Sequence, residues 1–164
     1  IIDSSGLRKN NNKIFKAVNS GTLFQEENTY KINKSKIKLV SKKPVTKKII
    51  DDLIFAFKVA KHVKSNAIVL AYNKQTLGIG AGQMSRLDST RIAIMKYNDF
   101  FKNKNFVCAS DAFFPFTDNI IKILKLNCKA IIQPSGSKND NKIIDYAKEK
   151  NASLYFVNNR VFKH

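Results

Sequence analysis

The stretch Gly78-Ile79-Gly80-Ala81-Gly82-Gln83-Met84-Ser85-Arg86 sets three glycines and a serine ahead of an arginine. Small residues running into a helix free backbone N–H groups at a positive dipole end, suited to a phosphate or carboxylate. Glycines there equally allow a strand and a helix to pack closely. The run is not a dinucleotide fingerprint, because G-x-G-x-x-G needs glycine at position 83, which is glutamine. Asp111 closes an apolar run, where a carboxylate needs a cation, backbone donors or a ligand. Directly after it, Phe113-Phe114-Pro115-Phe116 places three rings around a proline, either to fill core or to stack on a flat ligand. Arginine occurs only at 8, 86, 91 and 160, against 26 lysines. Arg86 and Arg160 follow inferred strands into loops, where a planar fork can hold a phosphate or carboxylate bidentately or simply face solvent.

The elements that must position these residues follow from periodicity. Thr46 can cap a helix in which Ile49, Ile50, Leu53, Phe57, Ala60 and Val63 recur at helical spacing. Strands are expected at 67–72, 77–79, 106–109, 130–133 and 153–157, with helices at 84–101, 118–126 and 139–150. Such alternation predicts an α/β layered domain over 46–164, a mostly parallel sheet flanked by helices. Ligands of such sheets lie beyond the carboxyl ends of the strands, where the loops above fall. Residues 1–45 are polar and lysine-rich and read as an N-terminal strand-rich arm, with short alternating stretches at 21–25 and 36–40.

Length and charge bound the rest. A chain of 164 residues with 43% hydrophobic content can bury a core. The net charge of +18 suggests nucleic acid, an anionic membrane or a polyanionic substrate. Its composition weakens that inference: 18 Asn, 19 Ile and 26 Lys look like drift toward A/T-rich codons. Cys108 and Cys128 sit in apolar runs without a C-x-x-C partner, so neither a disulfide framework nor a zinc site is expected. No apolar run approaches the ~20 residues of a membrane span, and a cytoplasmic protein is expected. An opening at Ile1 rather than Met suggests a piece of something longer.

Four segments, VKSNAIVLAYNKQTLGIGAGQMSR, SDAFFPFTDN, IIQPSGSKND and NNRVFKH, resemble in order and spacing the last part of the bifunctional purine-biosynthesis family that joins AICAR formyltransferase to IMP cyclohydrolase. The likeness covers residues 20–164. It implies the second cytidine-deaminase-like half of a formyltransferase domain. The deaminase zinc signature, H-x-E with P-C-x-x-C, is absent. The implied reaction moves a formyl group from 10-formyltetrahydrofolate to the 5-amino group of AICAR. By the same resemblance Asn66, Arg86 and Arg160 contact the ribonucleotide and Phe113 lies against its imidazole. Leu87, Asp118, Ser137 and Lys138 fall where the family meets folate. Asp111 resembles a monovalent-cation (K+) ligand of some members.

Three departures are visible: Thr117 replaces the usual Arg of F-F-P-F-R-D, Lys138 occupies a variable position, and Ser135 stands where bacterial members often have Gly. The family's catalytic lysine and histidine lie in an upstream K-H-V-S/N-P-A-G segment that these 164 residues do not contain. Lys61-His62 has the right letters in a different context, so His62 is read as a helix-end residue and His164 as packing or exposed. The chain is thus expected to be a transferase fragment inactive alone. The resemblance also implies a homodimer with shared sites, small-molecule nucleotide and folate partners, and no membrane. The competing reading is a small basic nucleic-acid-binding module, resting on charge and Phe-rich loops.

Overall fold

In the computed structural model, residues 13–41 and 43–164 are described. The chain divides into two compact units, one reaching to Lys31 and one running Ile32–His164. The first holds a hairpin of β1 (Lys13–Val18) and β2 (Gly21–Glu26), paired antiparallel with Phe15 opposite Phe24. Their rings lie 5.2 Å apart and Lys13 Nζ sits 5.1 Å from the Phe24 ring centre.

In the second unit β3 (Lys38–Leu39), β4 (Ile68–Tyr72), β5 (Gln75–Gly80), β6 (Phe106–Ser110), β7 (Cys128–Pro134) and β8 (Leu154–Val157) form one sheet in the order β3-β8-β7-β6-β4-β5. The helices are α1 (Lys47–His62), α2 (Arg86–Phe101), α3 (Asp118–Leu124) and α4 (Asp140–Glu149). Residues 32–45, expected within the arm, fall in this larger unit. There β3 pairs antiparallel with β8, anchored by Val40 N–H to the Leu154 carbonyl at 3.0 Å.

The expectation of a mostly parallel sheet is corrected. Only β6–β7 and β7–β8 are parallel, whereas β3–β8, β4–β5 and β4–β6 are antiparallel. For β4–β5 the cause is a two-residue turn after β4. Asn73 and Lys74 both take positive φ, 53° and 56°, as a type I′ hairpin requires. Buried Asp52 of α1 holds this turn, accepting from Asn73 N–H and Lys74 N–H, each at 2.9 Å. Because β4 is antiparallel to both β5 and β6, strands β5 to β8 all run one way and β4 opposes them.

Strand alternation divides the apolar residues between two faces. Ile68, Leu70, Phe106, Cys108, Ile131 and Leu154 share a core with Ala93, Tyr97, Ile120, Ile123 and Ile143 of α2, α3 and α4. Val69, Ala71, Val107, Ala109 and Ile132 are buried at the alternate positions, and α1 packs on β4, β6 and β7 through Leu53, Ala56, Phe57 and Ala60. The seam of β5 with α2 is very close. A Cβ on Gly78 would lie 2.2 Å from the Ala93 carbonyl oxygen, and one on Gly80 1.8 Å from that of Ser89. No helix among the described residues is long and apolar enough to cross a membrane.

Both cysteines are free thiols. Burial pushes the Cys108 thiol well up, and desolvation raises that of Cys128 to about 12, where the neutral Sγ–H also donates to the Ala130 carbonyl at 3.3 Å. A thiol with a raised pKa is neutral at pH 8 and a poor nucleophile. Native chain is therefore expected to develop almost no colour with Ellman's reagent at pH 8, and both thiols to react after urea unfolding. The unfolded thiols ionise first, so stability should decline as pH rises from about 9. Fast native titration would place these thiols in solvent.

Candidate functional site

The shared direction of β5 to β8 brings their carboxyl ends to one sheet edge, and the reversed β4 begins at that same edge. Residues 65–66, 81–85, 111–117, 135–139 and 158–163 therefore gather there. The Ser65–Asn66 peptide is cis.

Arg86, the first residue of α2, is only 8% exposed and ties two of these segments to the start of its helix. Its Nη1 donates to Ser110 Oγ at 3.1 Å and to Asp111 Oδ1, and its Nη2 donates to Asn66 Oδ1 at 2.7 Å. Three of the five guanidinium hydrogens are so engaged, and Nε–H and one Nη2 hydrogen make no hydrogen bond among the described residues. The fully buried Asp111 is occupied on its other oxygen by Ser65 Oγ at 2.6 Å. The C-terminal segment is sewn to the same pair: Lys163 N–H reaches Ser65 Oγ at 2.9 Å, Ser65 N–H the Lys163 carbonyl at 2.9 Å, and Val161 N–H the Asp111 carbonyl at 2.9 Å.

Asn66 uses its amide within the protein. Nδ2 donates to the Gln83 carbonyl at 2.9 Å and the Met84 carbonyl at 3.1 Å. The glycine run supports this clamp. Gly78 and Gly80 admit α2, Gly82 turns the chain at φ +68°, and the Gly82 N–H is taken by the Lys64 carbonyl at 2.8 Å. Ser85 caps α2 by accepting from Leu87 N–H at 3.1 Å.

A cavity of about 410 Å³ opens beside Arg86, with Asn66, Leu87, Phe113, Phe116 and Asp118 among its walls. The proline-flanked rings divide their labour. Phe114 is wholly buried in the core, Phe116 is 64% exposed at the cavity, and Phe113 lies between these extremes. Arg160 stacks on Phe113, its Cζ 4.5 Å from the ring centre. Of the residues singled out in the sequence, Asn66, Arg86, Leu87, Phe113 and Asp118 share the cavity. Arg160, Ser137 and Lys138 do not line it. They flank it through Phe113 and through Asn139, whose Nδ2 donates to the Pro115 carbonyl at 2.7 Å. His62 is exposed at the end of α1 and offers its carbonyl to Lys163 Nζ at 3.1 Å, while His164 is exposed with its ring 5.4 Å from that of Phe162. Thr117 immediately precedes α3 without a side-chain capping bond.

Four participants carried no sequence signal of their own. Ser65 and Ser110 hold the Arg86–Asp111 pair, and Asn119 and Phe162 line the cavity. Asn119 Oδ1 accepts from Thr90 Oγ1 at 2.8 Å, and its N–H and Nδ2 both donate to Asp118 Oδ1. At Asp111 each carboxylate oxygen accepts one hydrogen bond, and Arg86 supplies a balancing charge.

The family model described as AICARFT/IMPCHase bienzyme matches residues 1–96. Three relatives carry the name bifunctional purine biosynthesis protein PurH. The one from Wigglesworthia glossinidia brevipalpis is 47% identical over the whole chain and 31% of its own length. That from Caulobacter vibrioides is 46% identical over 92% of the chain and 28% of its length. That from Neisseria meningitidis is 47% identical over 91% of the chain and 28% of its length. The chain thus spans less than a third of each. Among solved structures, Acinetobacter baumannii RibD aligns with 66% of the chain and 34% of its own, at 12% identity and a TM-score of 0.40.

Proposed function

Because this chain belongs to the AICARFT/IMPCHase bienzyme family, we propose that it supplies the nucleotide- and folate-binding loops of an AICAR formyltransferase and belongs to that half of the bienzyme, not the cyclohydrolase. In this reading its layered α/β unit is the second cytidine-deaminase-like half of the transferase domain. The 5-amino group of AICAR attacks the formyl carbon of 10-formyltetrahydrofolate; the C–N bond to the folate breaks, and the amine proton passes to the departing tetrahydrofolate nitrogen by way of a base. The amine is a weak nucleophile, its lone pair spread into the imidazole carboxamide. Rate therefore depends on positioning and on stabilising charge at the tetrahedral centre.

The observation that carries this reading is the buried Arg86, held by Asp111, Ser110 and Asn66 with two hydrogens unspent among the described residues, lining a cavity walled also by Phe113 and Phe116. A fixed guanidinium suits an anionic or carbonyl oxygen, and the rings suit a flat heterocycle. Leu87 and Asp118 in the cavity, with Ser137 and Lys138 beside it, are the folate side. Asn66 acts mainly by fixing Arg86. Proton transfer belongs to the lysine and histidine that the family carries upstream, so the 164 residues alone bind without turning over, and the complete enzyme shares its sites across a homodimer. No step runs through a cation.

In the complete enzyme, Arg160→Ala is expected to weaken AICAR binding by about 1.5–3 kcal/mol, the scale of a lost charged hydrogen bond. Arg91→Ala, which removes an exposed arginine paired with Asp88 away from the cavity, should leave affinity unchanged. Calorimetric titration giving equal affinities for the two variants would remove Arg160 from the site.

A further inference from the structure

At the sheet edge opposite the candidate site lies a groove of about 720 Å³. It is bounded by the chain entering α1, the last turns of α3 and α4, and the starts of β7 and β8, and it contains none of the site residues. Lys43, Lys125, Lys129 and Lys150 line it and no Asp or Glu does. Lys150 is paired with Glu149 at 2.7 Å and lies 5.5 Å from the Tyr146 ring centre, whereas no ion pair engages the other three among the described residues. The first turn of α1 opens into the groove. Thr46 makes no side-chain cap and no acidic residue follows it in that turn; Lys47 and Lys48 stand there instead, so the positive helix end is unbalanced.

A second observation is independent of charge. Ser153 lines the groove, is 2% exposed, and its Oγ has no hydrogen-bond partner. A buried hydroxyl is normally satisfied, and an orphan at a cavity wall marks a place for an acceptor. Val45, Ile49, Leu124 and the Tyr146 ring provide apolar wall between the cations.

We propose that this groove is a second ligand site, for a small molecule bearing a polyphosphate chain. Four dispersed ammonium groups, a helix end and a hydroxyl donor match several phosphate oxygens better than one carboxylate. On a chain of +18, such a ligand also relieves self-repulsion. The volume lies within the ordinary range of small-molecule pockets, roughly 300–1,000 Å³. The polyphosphate is either free or joined to a nucleoside that rests on the apolar wall, and comparing the two ligands distinguishes the sources.

The test is calorimetric titration of the 164-residue chain with sodium tripolyphosphate and, separately, with magnesium-free ATP at about 0.15 M salt, where long-range attraction is screened. One saturable site is expected, undisturbed by AICAR. Equal affinities would identify the free chain as the ligand, and tighter ATP the nucleotide. Lys125→Ala/Lys129→Ala should weaken binding about 10-fold or more, and Ser153→Ala about 3-fold or more, with the fold retained by circular dichroism. Lys58→Ala/Lys102→Ala makes the same charge change at exposed positions outside the groove and should stay within about 2-fold. Equal losses in both double variants, competition by AICAR, or no saturation by about 10 mM would overturn the proposal.

Discussion

Asp111→Ala is expected to destabilise the chain by about 3–5 kcal/mol, the usual result of removing one partner from a buried ion pair. Arg86 would remain almost sealed from water with its charge uncompensated, and Ser65 Oγ would lose its acceptor. That is a large share of the roughly 5–15 kcal/mol that holds a domain together. Urea unfolding should show it as a lower midpoint with an unchanged slope. Adding Arg86→Met to Asp111→Ala should recover part of the loss, because a well-packed apolar side chain avoids the stranded charge. A loss below about 1 kcal/mol, typical of exposed pairs, would mean that water reaches this one.

Gly80→Ala should cost about 3 kcal/mol or more, above the common range for overpacking. The added methyl would meet backbone rather than a movable side chain: the Ser89 carbonyl oxygen at 1.8 Å and its Cα at 2.8 Å. Relief requires α2 to back away from β5, and α2 carries Arg86 at its first position. Stability and AICAR affinity should therefore fall together. Gly82→Ala is the comparison, since it has room for a Cβ but sits at φ +68°, where about 1 kcal/mol of conformational cost is expected. A melting temperature for Gly80→Ala within about 2 °C of the parent would show that the seam is looser than its geometry.

Much of the element order was legible because helical and strand periods are strong over ten or more residues. Thr46 opens α1 and Leu53, Phe57 and Ala60 are buried as spaced, although the pattern gave no hint that Asp52 is buried beside them. Strand direction was not legible. The turn after β4 is Asn73-Lys74, without the glycine that usually announces a type I′ hairpin, and what stabilises it is a carboxylate from another helix, 21 residues away for Asn73. At the site, Asp111 was visible as a carboxylate in need of a partner. That the partner is Arg86 follows only from packing across 25 residues of sequence. Asn119 did not stand out among 18 asparagines, and nothing in Phe-Phe-Pro-Phe said which ring would be core. The glycines left two readings open, and the close α2 seam favours the packing one at Gly78 and Gly80.

Arg86 is at once a donor at the cavity and a tie between three distant stretches of chain. A lineage that abandoned the chemistry would still lose stability on exchanging this arginine alone, because Asp111 would be left buried and unpaired, so its persistence in a gene copy is no sign that the copy remains active. Phe116 and Phe162 face the cavity at 64% and 37% exposure, with no core resting on them, and they are where decay of an idle copy would register first.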